Sequence, residues 1–440
     1  MTAGAPTADF SMHANIVIVT YNWPPRNAIG THRPYSRARY WSEAGARVTV
    51  LTARKQAFDE PLDMPLPALD RVEVIEVPYG GARGGVANKV LKSQSARRLA
   101  KRVNAWLSRK TGAGIDPRGA WRMAAVAEAS RLAKEADIVV STFGPAAAHL
   151  IACDMKSANP DLRWVADYRD LWSQRHTGDI SEATRREMRE VELASVGAHA
   201  DLLTTVSEDA ARQLRELTGK TVLTFRNGFD LDEAEVRQRL MTPAQKPGGP
   251  LRIVYTGMIY KGYQDPTPLF DALAQSFAAG ELERGSVTVD FYGARVEAAQ
   301  ELARNPEYAP FIRLMGHVPR ETALEAQRGA GLLLLLESSK PEARGTLTGK
   351  LFEYIAAGRP ILCIGSRPEY EIGQLLSATG TGAVFGPEDH AGIREAVLTT
   401  MKGAGLYDSY RPDCREILRY SRKRIAADFW DALQYKFAQS

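Results

Sequence analysis

Lys350 and Glu353 stand three residues apart in the run GTLTGKLFEYIAAGRPI (345–361). They are the pair in this sequence best suited to hold a phosphorylated sugar. Leu332 to Leu336, five consecutive leucines, read as a buried parallel strand. Gly345-Thr346-Leu347-Thr348-Gly349-Lys350 follows as a glycine-bearing loop, and Leu351, Phe352 and Ile355 then have helical spacing. Gly358-Arg359-Pro360 ends that helix, and Ile361 to Ile364 begins another strand. Lys350 thus falls in the first turn of a helix, where free amide groups and the dipole draw anions. A cation there is opposed by the dipole unless a phosphate joins it. Glu353, one turn further on, can accept two hydroxyls of one sugar. The same pattern also fits two charges flanking a solvated helix face.

Two other groups could do chemistry. Asp167, Arg169 and Asp170 follow the apolar run from Arg163, and two carboxylates with an arginine at a strand's carboxyl end read as an active-site rim. The plainer reading is a loop in which Asp170 and Arg169 cap the next element. His176, further along that loop, is a weaker candidate. Gly257-Met258-Ile259-Tyr260-Lys261-Gly262 opens the second half of the chain with a lysine between glycines, which is either an anion-holding loop or an exposed turn.

The elements that must position these residues alternate. Strands are expected at Asn15 to Tyr21, Val48 to Thr52, Val72 to Val77, Ile138 to Thr142, Arg163 to Asp167, Leu202 to Val206 and Val222 to Phe225, with helices between them. Thr242 to Pro250, with three prolines and two glycines, has the composition of a linker. The alternation restarts at Ile253 to Thr256 and continues through Val287 to Tyr292, Phe311 to Leu314, Leu332 to Leu336, Ile361 to Ile364 and Ala383 to Phe385. A final helix is expected from about Asp413 to Gln434. This pattern argues an α/β protein with two doubly wound parallel sheets. In such folds ligands bind off the carboxyl ends of strands.

At 440 residues the chain has room for two domains, and 44% hydrophobic with 25% charged residues is an ordinary globular composition. No run of about 20 apolar residues exists to span a membrane. Residues 1–14 read as a disordered leader without the features of a signal peptide. Cys153, Cys363 and Cys414 are widely spaced, which suits a reducing cytosol and argues against a disulfide framework or a metal site. The net charge of +5 is unevenly spread: Gly81 to Glu135 holds thirteen Lys/Arg against three Asp/Glu. Within NKVLKSQSARRLAKRVNAWLSRK (88–110), Lys92, Arg97, Arg98, Lys101, Arg102 and Trp106 form a basic amphipathic helix suited to an anionic membrane surface. A core-packed helix with a solvated basic face is the alternative. No recognised nucleic-acid motif accompanies the charge.

The run GTLTGKLFEYIAAGRPIL resembles the donor-site motif of GT-B glycosyltransferases, specifically glycosyltransferase family 4 and its relatives. The resemblance implies a GT-B fold, two doubly wound Rossmann-like domains facing a cleft, and covers nearly the whole chain from residue 15. It implies that Glu353 binds the ribose of a nucleotide sugar and that Lys350, Gly345 and Thr346 lie at the diphosphate. The family's usual second glutamate, eight residues earlier, is replaced here by Gly345. Gly257 and Lys261 resemble the family's G-R…K-G donor loop, with Met258 where the arginine would stand. Asn22 to Gly30 resembles the N-terminal Y-x-P-P…G loop, which places Gly30 toward the donor. Gly316-His317-Val318 matches the position where relatives hold the base. RDLWS resembles the family's H-D-L-W-P run, with Asp170 kept and Arg169 replacing the histidine. Asn227-Gly228-Phe229-Asp230 resembles the interdomain turn.

The expected domains are a leader at 1–14, an acceptor-binding domain at 15–226, a nucleotide-sugar-binding domain at 227–412, and a helix at 413–440 crossing back to the first. The expected activity is a retaining transfer of a sugar from a UDP- or GDP-sugar donor to a lipid-linked or cell-envelope polysaccharide acceptor. Asp170, Lys261 and Lys350 are the expected catalytic residues. No cofactor or metal is expected, because lysines can stabilise the leaving diphosphate. The expected location is cytoplasmic, peripheral on the inner face of the plasma membrane. A nucleotide-sugar 2-epimerase of the same fold, or a catalytically inactive GT-B partner subunit, are the alternatives.

Overall fold

Runs of valine, isoleucine and leucine buried on both faces form the central strands of two parallel sheets. In the computed structural model the described residues are 14–79, 117–175, 180–241, 249–293, 297–338 and 340–438. The basic segment with Lys92, Arg97, Arg98, Lys101, Arg102 and Trp106 lies outside them, as do His176 and residues 242–248 of the linker. The first sheet contains β1 (Asn15–Val19), β2 (Arg47–Ala53), β3 (Val72–Val77), β4 (Ile138–Thr142), β5 (Arg163–Tyr168), β6 (Leu202–Thr205) and β7 (Val222–Thr224). The second contains β8 (Leu251–Thr256), β9 (Val287–Tyr292), β10 (Ile312–Gly316), β11 (Leu332–Leu336), β12 (Ile361–Ile364) and β13 (Gly382–Phe385).

The strand orders are β3-β2-β1-β4-β5-β6-β7 and β10-β9-β8-β11-β12-β13. Every pairing is parallel; Ile16, for example, sits opposite Val48 on one side and Ile138 on the other. Each order turns back once, between β1 and β4 in the first sheet and between β8 and β11 in the second. Ligands of open α/β sheets bind at such turning points, beyond the strands' carboxyl ends. The residues that matter should therefore lie after β1, β4, β8 and β11.

Packing explains why the central strands are so apolar. Side chains alternate between faces, so Val17 and Val19 enter one core cluster of the first sheet while Ile16 and Ile18 enter another. Leu332, Leu334 and Leu336 likewise face one cluster of the second sheet, and Leu333 and Leu335 the other. Full burial of such a side chain is worth about 1.5–3 kcal/mol, which requires covering helices on both faces. Two compact units result, one of Met1–Val206, Ala210–Phe225 and Ala426–Ser440, the other of Ser207–Asp209 and Arg226–Ile425. In the first unit, Phe429, Trp430, Leu433 and Phe437 of the last helix cover the face carrying Ile16 and Ile18. Trp41 donates its indole N–H to the carbonyl of Ala426 at 2.9 Å.

The single terminal helix expected from Asp413 to Gln434 is two helices, Cys414–Leu418 and Arg422–Ala438. Asp413 caps the first by accepting from the amides of Arg415 and Glu416. The intervening turn is held from far away in sequence: Phe229 donates to the carbonyl of Tyr420 at 3.1 Å and accepts from Arg422 at 2.9 Å. Gly228 permits this approach, since a Cβ there would lie 2.2 Å from the Tyr420 oxygen. The helix Glu182–Glu192 changes to a π-turn at Leu193–Gly197. Strand β10 runs on to Gly316, with a register shift between Leu314 and Gly316. No described helix is long and apolar enough to cross a membrane.

Candidate functional site

The turning point of the second sheet is built by the loop after β8 and the loop after β11. Gly257 opens the first of these at φ +105, a conformation that favours glycine, and its amide donates to Tyr292 O at 2.7 Å. Gln264 closes the loop, accepting from the Tyr260 amide at 3.1 Å and donating to Leu336 O at 2.9 Å. That last bond ties the loop to the end of β11. Thr348 then precedes the helix Gly349–Ala357, which stops at Gly358 in the left-handed conformation.

Lys350 extends from the first turn of this helix across the turning point. Its ammonium donates to the Tyr255 hydroxyl and, at 3.3 Å, to the carbonyl of Met258, and lies 4.1 Å from the Tyr255 ring centroid. A Cβ on Gly257 would come within 3.4 Å of that nitrogen. Tyr255 passes the bond on, donating to the Met258 carbonyl at 2.6 Å. The lysine is thus packed against the loop's backbone instead of pointing away from it.

Beside it, Glu337 ends the leucine strand with its side chain buried. Its carboxyl accepts from the Thr348 hydroxyl at 3.4 Å, a weak bond, and its amide donates to Ile364 O at 2.9 Å. Burial pushes the Glu337 carboxyl up to about 8, against the opposing pull of Lys350 and Thr348. Burial also draws the Lys350 ammonium down to about 8, while Glu337 and Glu353 act the other way. A helix N-terminus, a poised ammonium and a carboxyl that is largely neutral below pH 8 make an environment that gains by admitting an anion.

The other expected residues of this unit take separate places. Glu353 accepts from Arg320 at 2.8 Å and is mostly buried, with 15% of its side chain exposed. Lys261 pairs with Glu301 at 2.9 Å and is 74% exposed, so it and Lys350 engage different partners. Gly316 has φ +73, His317 is exposed and Val318 packs beside the core cluster that includes Leu351 and Phe352. Thr346 donates its amide to Ala343 O at 2.9 Å. Gly345 has no room for a side chain: an added Cβ would lie 2.6 Å from the Cβ of Asp209, whose segment 207–209 belongs to this unit. Glu337, Tyr255, Gln264 and Arg320 escaped the sequence reading. Only Glu337 carried a signal, as a charged residue directly after five buried leucines.

In the first unit the turning point lies between the loops after β1 and β4. Asn22 donates to Gly144 O at 2.9 Å and accepts from Arg26 at 2.5 Å. Arg169 covers this junction so closely that a Cβ on Gly30 would fall 1.5 Å from its Nη1. Asp170 pairs with Arg169 at 2.6 Å and is 60% exposed. Asp167 is not on a rim. It is wholly buried, accepting from Arg33 at 2.8 and 2.9 Å, from Arg37 at 3.1 Å and from Thr204 at 2.8 Å. Burial alone would raise its pKa, but the two guanidiniums hold it well below the usual carboxylate range. Among the described residues no group of three His, Cys, Asp or Glu could hold a metal ion.

Solved structures resemble the whole chain. An α,α-trehalose 6-phosphate synthase from Burkholderia multivorans superposes with TM-score 0.59 at 13% identity, over 97% of this chain and 100% of that one. A trehalose-6-phosphate structure from E. coli bound with UDP-2-fluoro glucose gives 0.60 at 11%, over 96% and 99%. A trehalose-6-phosphate synthase studied with bisubstrate glycomimetics for glycosyltransfer with retention gives 0.60 at 12%, over 96% and 99%. The chain has the GT-B fold. No family model matches it, and no curated protein matches it by sequence.

Proposed function

We propose that this chain is a retaining glycosyltransferase of the family 4 type. The second unit holds a UDP- or GDP-sugar donor and the first unit holds the acceptor. The observation that carries the reading is the Lys350 ammonium at the turning point of the second sheet, set between a helix N-terminus and the Gly257 loop. That combination suits a diphosphate whose negative charge grows as the glycosidic bond to it breaks. Glu353 takes the ribose, Gly316 to Val318 receive the base by their backbone, and Lys261 adds charge from the loop. Asp170 is the acidic group offered to the sugar or acceptor from the first unit.

The acceptor is a lipid-linked or cell-envelope polysaccharide, reached at the cytoplasmic face of the membrane. The basic segment with Arg97, Arg98 and Trp106, outside the described residues, supports this placement by its composition. The GT-B likeness, including a neighbour bound with UDP-2-fluoro glucose, supports the donor class.

The test is release of nucleoside diphosphate from UDP- and GDP-sugars, with and without candidate acceptors. Release that depends on acceptor is expected. An epimerase would convert the donor sugar with no acceptor present, and an inactive subunit would release nothing; either outcome removes the transferase reading. Thermal-shift screening across UDP, GDP and ADP then identifies the base through ligand-linked stabilisation.

A further inference from the structure

The loop that carries Arg169 and Asp170 is fastened at both ends by residues that the sugar-transfer reading leaves without a task. At its start the Tyr168 carbonyl accepts from the Thr205 hydroxyl of β6 at 2.9 Å. At its far end the helix Glu182–Glu192 holds Ser173 from both sides. The Ser173 amide donates to the Glu192 carboxyl at 3.0 Å. The Arg185 guanidinium donates to Ser173 O at 2.7 Å and to Arg175 O at 3.0 Å. Next to Ser173, the Trp172 ring is buried against Phe143 and His149, with centroids 5.8 and 6.5 Å away. Residues 169–171 therefore span a short gap between fixed points.

That gap lies at the turning point of the first sheet. Arg169 reaches over it, with Nη2 3.2 Å from where a Cβ on Gly144 would stand, and the same nitrogen ties Asp170 at 2.6 Å. Three residues of chain leave little slack, so moving Ser173 moves the Asp170 carboxylate. Glu192 is a poor choice for packing alone. It is fully buried, and burial raises its carboxyl pKa, while its contacts with Ser173 and Tyr168 and the charge of Arg189 act the other way. Among the described residues Glu192 Oε1, Ser173 Oγ and the Tyr168 hydroxyl have no well-formed hydrogen-bond partner. An apolar residue would fill the space without burying a carboxyl, which is unfavourable unless its bonds are complete. What it would not do is hold the Ser173 amide. The π-turn Leu193–Gly197 begins directly after Glu192, and such turns often mark functional positions.

We propose that Glu192 is a positioning residue for the transfer. Acting through the Ser173 amide, with Arg185 on the Ser173 carbonyl, it fixes the loop 169–173 so that Asp170 faces the ligand of the first unit. A misplacement of about 1 Å at a reacting group can lower a rate about a hundredfold, so a bond three residues from Asp170 matters to the chemistry. The inference rests on the reading of Asp170 as the acidic group offered to the sugar or acceptor.

Hydrogen exchange across residues 168–175, read by mass spectrometry on the whole protein, tests this beside nucleotide release. The release assay offers pooled UDP- and GDP-hexoses with an envelope-lipid extract as acceptor, and Asp170→Asn is the reference for a lost acid. Glu192→Ala should speed exchange about tenfold or more and lower turnover comparably, with UDP affinity by calorimetry unchanged. Glu192→Gln should restore both, since an amide oxygen accepts from the Ser173 N–H as the carboxyl does. Arg185→Met should act in the same direction as Glu192→Ala; its side chain is 30% exposed, so this variant keeps the test open should Glu192→Ala fail to fold. A lower melting temperature with exchange and turnover unchanged would make Glu192 a packing residue and overturn the inference. Loss of turnover that glutamine does not restore would overturn it too. Release that Asp170→Asn abolishes but Glu192→Ala and Arg185→Met leave intact would overturn the positioning role alone. No release by the unmutated protein would overturn the transferase reading, while faster exchange in Glu192→Ala would still support the anchoring of the loop.

Discussion

The Lys350 ammonium lies 4.1 Å from the centroid of the Tyr255 ring and donates to its hydroxyl. This joins the first turn of the helix Gly349–Ala357 to the end of β8, across the turning point of the second sheet. The ring face offsets part of the cost of burying the charge, and an anion would offset more. Its neighbour Glu337 is pushed the opposite way in charge by the same burial.

Both shifts predict one pH dependence. Lys350 is charged below about 8 and loses its proton above it, while Glu337 is neutral below about 8 and becomes anionic above it. Each change disfavours a bound diphosphate as pH rises. Nucleoside diphosphate affinity should therefore fall as pH climbs from 7 to 9, with proton uptake on binding near pH 8. Titration calorimetry in buffers of differing ionisation enthalpy measures that uptake. Affinity independent of pH over this window would remove the pair from the site.

Lys350→Met should depress turnover about a hundredfold or more, as loss of one preorganised charge donor typically costs roughly 2.7–4 kcal/mol in the transition state. Lys261→Met should cost less, because its ammonium is 74% exposed and screened by water. Single-turnover rates of the two variants give the comparison. Equal losses would show that Lys261 moves inward when donor binds.

Glu353→Gln keeps the shape of the side chain but removes charge-assisted hydrogen bonds, worth roughly 1.5–3 kcal/mol each. Donor affinity should fall at least tenfold. Melting should barely change, since its partner Arg320 is 41% exposed and can be hydrated. A large drop in melting with unchanged affinity would make the Glu353–Arg320 pair a structural one.

The central strands were legible because buried parallel strands must be apolar throughout: β11 and β12 begin and end where the runs Leu332–Leu336 and Ile361–Ile364 do. What depends on distant partners was not legible. The break in the terminal helix comes from Phe229, some 190 residues earlier. Gly345 is small because Asp209 occupies the space beside it. Glu337 acquires its chemistry from burial, which local sequence does not state. The rim expected at Asp167 and Asp170 divides for the same reason, since Arg33 and Arg37 reach Asp167 from 134 and 130 residues away.

That division yields a last prediction. Asp167→Asn removes the anion from beneath two buried guanidiniums, and breaking a buried pair costs about 3–5 kcal/mol. The first unit should melt roughly 6–20 °C lower, while nucleotide affinity of the second unit stays unchanged. Because Arg33 and Arg37 hold the Asp167 pKa below the usual carboxylate range, its contribution is fully present at neutral pH and fades only in strong acid. Asp170→Asn should do the reverse, lowering turnover with little change in melting, since that side chain is 60% exposed beside Arg169. Differential scanning calorimetry and turnover measured on both variants separate the two roles. Should Asp170→Asn lose melting temperature and keep activity, Asp170 is a cap for its loop and the acidic group facing the acceptor must be sought elsewhere.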